Sequence, residues 1–168
     1  MAKIIVFLED LVEDSEFLYP YMRFKEEGHD VISVAPKNKT YKGKAGMSFQ
    51  PDHTFDEVKT QTFDLVFVPG GYAPDQLRRH EDITGFIKNH YDQGKLVASV
   101  CHGPWVLISA GIVKGKKVTG FHAIKDDLIN AGAHYQGNDT EEDGNLFTCT
   151  NPNTLLIMMK RLVEKLKS

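Results

Sequence analysis

Cysteine and histidine stand side by side in Ala98-Ser99-Val100-Cys101-His102-Gly103-Pro104-Trp105. Leu96, Val97, Ala98 and Val100 read as the end of a buried strand. Gly103 and Pro104 fit a tight turn and the first turn of a helix, where a missing N–H costs little. Such a turn holds the Cys101 sulfur at the strand tip, beside the positive end of a helix dipole, which favours thiolate over thiol. The logic is that of a nucleophile elbow built with cysteine in place of serine.

Two further segments carry residues that such a nucleophile needs. In Glu9-Asp10-Leu11-Val12-Glu13-Asp14-Ser15-Glu16, Glu13 and Glu16 are three apart and share a helix face, so one of them can reach back to the sulfur. Glu9, Asp10 and Asp14 read as solvated loop and helix start, with Asp14 or Ser15 as the cap. In Pro69-Gly70-Gly71 the paired glycines allow positive φ and a close backbone approach. The N–H groups of Gly71 and His102 would then form an oxyanion hole.

The other candidates are weaker. Cys149 reads as a core residue, and His29, His53, His80, His90 and His134 read as surface. His122 follows a short apolar run and could face the site. Neither H-E-x-x-H nor C-x-x-C spacing marks a metal site, and no Walker or G-x-G-x-x-G loop marks a phosphate site.

The elements that must position these residues alternate. Ile4–Leu8 reads as a strand, Ser15–Glu27 as a helix stopped by Gly28, and Val31–Ala35 as the next strand. The Lys- and Gly-rich stretch 37–51 suits a small hairpin. Asp64–Val68 and Lys95–Val100 are strands separated by helical patterns. Val106–Ala110 continues the helix after the elbow. Val118–Gly120 suits a short strand and Ala123–Asn130 a helix. Leu146–Cys149 is the expected last strand, and Pro152 opens a helix running to about Lys167. Such alternation implies a mostly parallel sheet with helices on both faces, with ligands bound at the carboxyl ends of its strands.

A chain of 168 residues fits one domain, 1–168. With 41% hydrophobic and 26% charged residues it has an ordinary soluble balance. A net charge of −3 gives no basic footprint for nucleic acid, and no apolar run has the length of a membrane span. Two cysteines form no disulfide framework. The N-terminal apolar run lacks the length and cleavage site of a signal peptide, so a reducing cytoplasm is expected.

Taken together, Glu13-Asp14-Ser15-Glu16-Phe17, Tyr19-Pro20, Pro69-Gly70-Gly71-Tyr72-Ala73-Pro74-Asp75 and Ala98–Pro104 resemble the PfpI/ThiJ superfamily over nearly the whole chain. The similarity is greatest to its PfpI-type branch of intracellular proteases (peptidase family C56) and deglycases. The resemblance implies the class I glutamine-amidotransferase-like fold, a flavodoxin-like α/β three-layer sandwich. It implies Cys101 as nucleophile, Glu16 as the acid at its sulfur, His102 as the neighbouring imidazole, and Gly71 with His102 as oxyanion hole. Glu13 and Gly70 would be accessory. It implies homo-oligomers, dimer or hexamer, in which an acidic residue at position 75 reaches His102 across an interface; here it is Asp75, one methylene shorter than the glutamate of some members. It implies chemistry without a cofactor on small aldehydes or glycated adducts, with peptide cleavage, or a stress-linked redox sensor or chaperone, as alternatives. Thr148-Cys149-Thr150-Asn151-Pro152 lacks the arginine that relatives often carry there.

Overall fold

The apolar runs become strands because residues on both of their faces find a core. The computed structural model describes all 168 residues. In chain order the first half comprises β1 (Lys3–Phe7), α1 (Asp14–Glu26), β2 (Asp30–Ala35), β3 (Tyr41–Lys42), β4 (Ser48–Phe49), β5 (His53–Thr54), α2 (Phe55–Val58) and β6 (Leu65–Val68). There follow α3 (Ala73–Leu77), α4 (Glu81–Asp92), β7 (Leu96–Val100), α5 (Pro104–Ser109), α6 (Lys125–Asn130), β8 (Thr140–Asp143), β9 (Leu146–Cys149) and α7 (Pro152–Lys167).

Seven strands form one sheet in the order β5-β2-β1-β6-β7-β9-β8, parallel except for the β8–β9 edge pair. The period-2 pleat divides each strand between two cores. Ile5, Phe7, Val66, Val68 and Val97 meet Ile83, Phe86 and Ile87 of α4 and Val106 and Leu107 of α5. Ile4, Val6, Leu65, Phe67, Ala98 and Val100 meet Phe17 and Phe24 of α1 and Leu155, Met158, Met159 and Leu162 of α7. Each such buried side chain contributes about 1.5–3 kcal/mol. The mostly parallel sheet with helices on both faces, expected from the alternation, is present, and it is the flavodoxin-like three-layer sandwich that the family resemblance implies.

β1 leads through α1 to β2 on one side, while its other neighbour, β6, leads through α3 and α4 to β7 on the other. The loops after β1 and β6 therefore diverge, which opens a crevice at the carboxyl end of the sheet.

Several local expectations are met. The stretch 37–51 holds the β3–β4 hairpin, and Pro152 opens α7 behind Asn151, whose side chain accepts from Asn153 and Thr154 N–H at 2.9 and 3.2 Å. Others are corrected. Val118–Gly120 is not a strand: Thr119 N–H donates to Thr148 Oγ1 (2.9 Å) and Phe121 N–H to the Cys101 carbonyl (2.8 Å), so no ladder forms. The helix expected at 123–130 is a 3₁₀ turn, His122–Ile124, followed by α6.

Asp14 does not cap α1, nor is it solvated. It is buried and its carboxylate accepts from Ala45 N–H (2.7 Å) and Met47 N–H (2.9 Å) of the hairpin. Glu9 is buried as well. His90 lies in the core rather than on the surface, its Nε2 accepting from Phe63 N–H (3.1 Å) and its Nδ1 facing the Phe86 carbonyl (2.8 Å).

Candidate active site

Cys101 stands one residue beyond β7 with φ +60°, a left-handed conformation that costs a non-glycine residue about 1–2 kcal/mol. The surrounding bonds hold it there. Its N–H donates to the Cys149 carbonyl (3.0 Å), its carbonyl accepts from Phe121, and Gly103 N–H closes the turn on Val100 (2.8 Å). A Cβ at Gly103 would strike Ser99 Oγ and the Val68 carbonyl, so only glycine lets the turn pack against the sheet. The strained elbow is the device that lifts the sulfur to the mouth of the crevice.

α1 brings Glu16 underneath. It is fully buried; Oε1 accepts from Gly70 N–H (3.0 Å) and Oε2 has no hydrogen-bond partner. Burial, and then the charge of Glu13, push its pKa up to about 8, against the opposing pull of Gly70 N–H and Lys44. Near neutrality the carboxyl is therefore mostly protonated, and Cys101 is a polar group near enough to act on its titration. A neutral acid whose second oxygen lacks a partner can donate to sulfur.

The helix-dipole expectation for the thiol is corrected. Burial, followed by the nearby Glu16 carboxyl, pushes Cys101 up to about 12. α5 has six residues, too short a dipole to prevail over desolvation. The His102 and Gly71 backbone N–H groups pull the thiol the other way, and neither donates to a backbone carbonyl. They are free to hold an oxyanion. Gly71 has φ +74°, and a Cβ there would collide with Glu13 N and the Leu11 carbonyl, so this approach requires glycine.

His102 Nδ1 lies 3.4 Å from Cys101 Sγ, and its ring packs against Trp105 and Phe121, with centroids at 5.1 and 5.0 Å. Burial and the Lys44 charge lower its pKa, which leaves it neutral and able to accept a proton. Glu13, Glu16, Lys44, Gly71, Tyr72, Cys101, His102, Phe121, Asn151 and Pro152 line a cavity of about 420 Å³ around the sulfur.

Asp75 is not among them. Its carboxylate pairs with Arg79 at 2.6 Å, and it borders a separate cavity of about 740 Å³ with Leu11, Lys39, Tyr72 and Trp105. His122 is exposed and is not among the residues lining the cavity around the sulfur; its ring is tilted against that of Phe121, with centroids 4.3 Å apart. Cys149 is buried in the core, as expected.

Sequence reasoning passed over Lys44, Tyr72 and Phe121. Lys44 lies in the segment read as a hairpin, but nothing in its neighbourhood distinguishes it from Lys37, Lys39 or Lys42. No group of three His, Cys, Asp or Glu side chains is placed to hold a metal ion, and no helix is long and apolar enough to cross a membrane.

A doubly flanked parallel sheet, with a strained cysteine elbow and a protonated carboxyl at its carboxyl edge, defines the class of cysteine-centred α/β proteins. A model of the DJ-1/PfpI family matches residues 2–165, and the chain belongs to that family. It is 41% identical over 165 residues to a deglycase of Pyrococcus horikoshii, covering 98% of this chain and 99% of the relative. It is 39% identical over 156 residues to protein/nucleic acid deglycase 2 of Escherichia coli, covering 91% of each. A solved two-domain protein of Anabaena variabilis, with DJ-1/ThiJ/PfpI-like and ferritin-like domains, superposes with a TM-score of 0.95 at 41% identity. That match covers 99% of this chain, which spans about half the length of the two-domain protein (48%).

Proposed function

We propose that the chain is a cysteine-dependent deglycase with glyoxalase-type chemistry, acting on dicarbonyls and on their adducts with amines. The observation that carries this reading is the contact of Cys101 Sγ with neutral His102 Nδ1 at 3.4 Å, above a buried carboxyl that titrates near pH 8. Deglycase relatives aligned over nearly the whole chain support it.

With methylglyoxal, Sγ adds to the aldehyde carbon as the thiol proton passes to His102 and then to the new alkoxide, giving a hemithioacetal. The Gly71 and His102 N–H groups stabilise the oxyanion. Removal of the C1 proton by His102, and its return at C2, makes a thioester. Water cleaves that thioester to lactate and the free thiol, so one water is consumed and no electron acceptor is needed. On a glycated amine the same attack at the hemiaminal carbon expels the amine.

The chain works as a homo-oligomer in this reading, with Asp75 of a second copy orienting His102. Asp75 in its own chain faces Arg79. Peptide cleavage by the same Cys101–His102 pair is the second reading. It needs an extended cleft, whereas the space around the sulfur is about 420 Å³.

The test is lactate formation from methylglyoxal by wild type, Cys101→Ser and Glu16→Ala. Lactate from wild type alone is the expected result. No lactate, and no amine released from a glycated amino acid, by folded protein with reduced Cys101 would overturn the reading.

A further inference from the structure

Among the residues that line the Cys101 cavity, Lys44 alone carries a permanent positive charge. Its ammonium pairs with Glu13 at 3.2 Å and lies 5.7 Å from the centre of the Tyr72 ring. Its charge acts on Glu16, Cys101 and His102 together, and it shares the cavity wall with all three.

The turn that carries it is built for one conformation. Lys44 N–H donates to the Val12 carbonyl (2.8 Å), and Gly43 N–H to the Met47 carbonyl (2.8 Å). The buried Asp14 carboxylate takes Ala45 N–H with one oxygen and Met47 N–H with the other. A carboxylate removed from water and used to hold the five-residue hairpin loop 43–47 is costly unless that loop must be held. Three neighbouring acids on α1 and its approach thus divide the work: Glu13 touches the lysine, Asp14 fixes its backbone, and Glu16 lies under the sulfur.

We infer that Lys44 is the anion-recognising group of this site, selecting carboxylate-bearing ligands, and that Asp14 is the residue that positions it. Glu13 holds the ammonium while the cavity is empty. An ion pair this exposed is weak, so an incoming carboxylate exchanges with Glu13 at little cost. The inference rests on the deglycase reading only for the identity of the anion: the carboxylate of a glycated amino acid, or that of the hydroxy acid formed.

The test uses charge selectivity at Cys101 without turnover. Cys101 is alkylated with iodoacetate, an anion, and with iodoacetamide, its neutral counterpart; the modified residue is identified by peptide mass. In both reactions an S–C bond forms as iodide leaves, so a change in thiolate fraction cancels from the ratio of rates. Lys44→Met is expected to lower the iodoacetate-to-iodoacetamide ratio about fivefold, Lys44→Arg to keep it, and Glu13→Gln to raise it. Asp14→Asn is expected to lower the ratio with Lys44 still present, and to add nothing in the Lys44→Met background. A ratio unchanged in Lys44→Met overturns the anion site. A fall in Lys44→Met without one in Asp14→Asn overturns the role of Asp14. Should Asp14→Asn not fold, Asp14→Ser replaces it, and failure of both assigns Asp14 to the fold alone. Charge selectivity in a protein that neither makes lactate nor releases amine from a glycated amino acid leaves the anion site standing and removes the deglycase reading; either activity without selectivity does the reverse.

Discussion

Replacing Glu16 by glutamine leaves an oxygen for Gly70 N–H and an amide donor for the sulfur, and removes only the titration. In the native protein the carboxyl shifts from 4.5 to about 8, chiefly through burial and secondly through Glu13. A group whose pKa is raised on folding binds more protons in the native state across that interval. Its contribution to stability is complete below about pH 4.5 and is lost as pH rises through about 8. In the middle of the window the slope approaches about 1.36 kcal/mol per pH unit. From about pH 5.5 to about pH 7.5 the stability of wild type minus that of Glu16→Gln should therefore fall by roughly 2–3 kcal/mol. Other groups cancel from the difference. His29, His90 and His102 have lowered pKa values and are common to both proteins. Cys101 titrates above the window. Urea unfolding at half-unit pH intervals, with Cys101 kept reduced, measures the difference. Parallel stability curves for the two proteins would refute the assignment of a neutral, buried Glu16.

The same two groups shape turnover: kcat/KM should rise as His102 loses its proton below pH 6.5 and fall past about pH 8 as Glu16 ionises, and Glu16→Gln should lack the upper limb. Gly71→Ala should lower kcat for lactate formation about 10²–10³-fold by displacing an oxyanion donor, and urea melts should lose more than about 1–2 kcal/mol, the cost of its φ of +74° alone, since the new Cβ also meets the Glu13 and Leu11 backbone. His90→Leu leaves Phe63 N–H without its acceptor and should cost about 1–3 kcal/mol near neutral pH. The stability that neutral His90 contributes in wild type is lost as pH falls below 6.5, so the penalty should shrink in acid. Limited hydrogen peroxide should add oxygen to Cys101 and spare the fully buried Cys149, as read by peptide mass.

The strands were legible because Ile4–Phe7 and Leu65–Val68 are buried on both faces and read as unbroken apolar runs, and Val97–Val100 is buried with only Ser99 interrupting its apolar pattern. β8 was not, because Thr140–Asp143 is an acidic edge strand whose pairing depends on β9 rather than on its own composition. Cys101, His102, Glu16 and the two glycines could be found because each is fixed by a strand end or a turn close by in sequence. Lys44 could not: its place over the site depends on Asp14, thirty residues earlier, and hydrogen bonds across that distance leave no local pattern. Asp14 and His90 were misread for the opposite reason. A polar side chain looks solvated until its buried backbone partners, Ala45 and Met47 or Phe63 and Phe86, are brought to it by the fold.

A thiol pushed to about 12 is an odd nucleophile if the reactive species is a preformed thiolate, since almost none exists at neutral pH. It is less odd beside a neutral imidazole. His102 Nδ1 at 3.4 Å can take the proton as the S–C bond forms, so the charge that appears is borne by the carbonyl oxygen and not by sulfur. In the proposed reaction the Gly71 and His102 N–H groups would act on that later charge. Little is spent on stabilising the resting enzyme, and the gain falls on the transition state, where it raises kcat. A site that meets reactive carbonyls is served by a cysteine that becomes nucleophilic only when an electrophile has arrived.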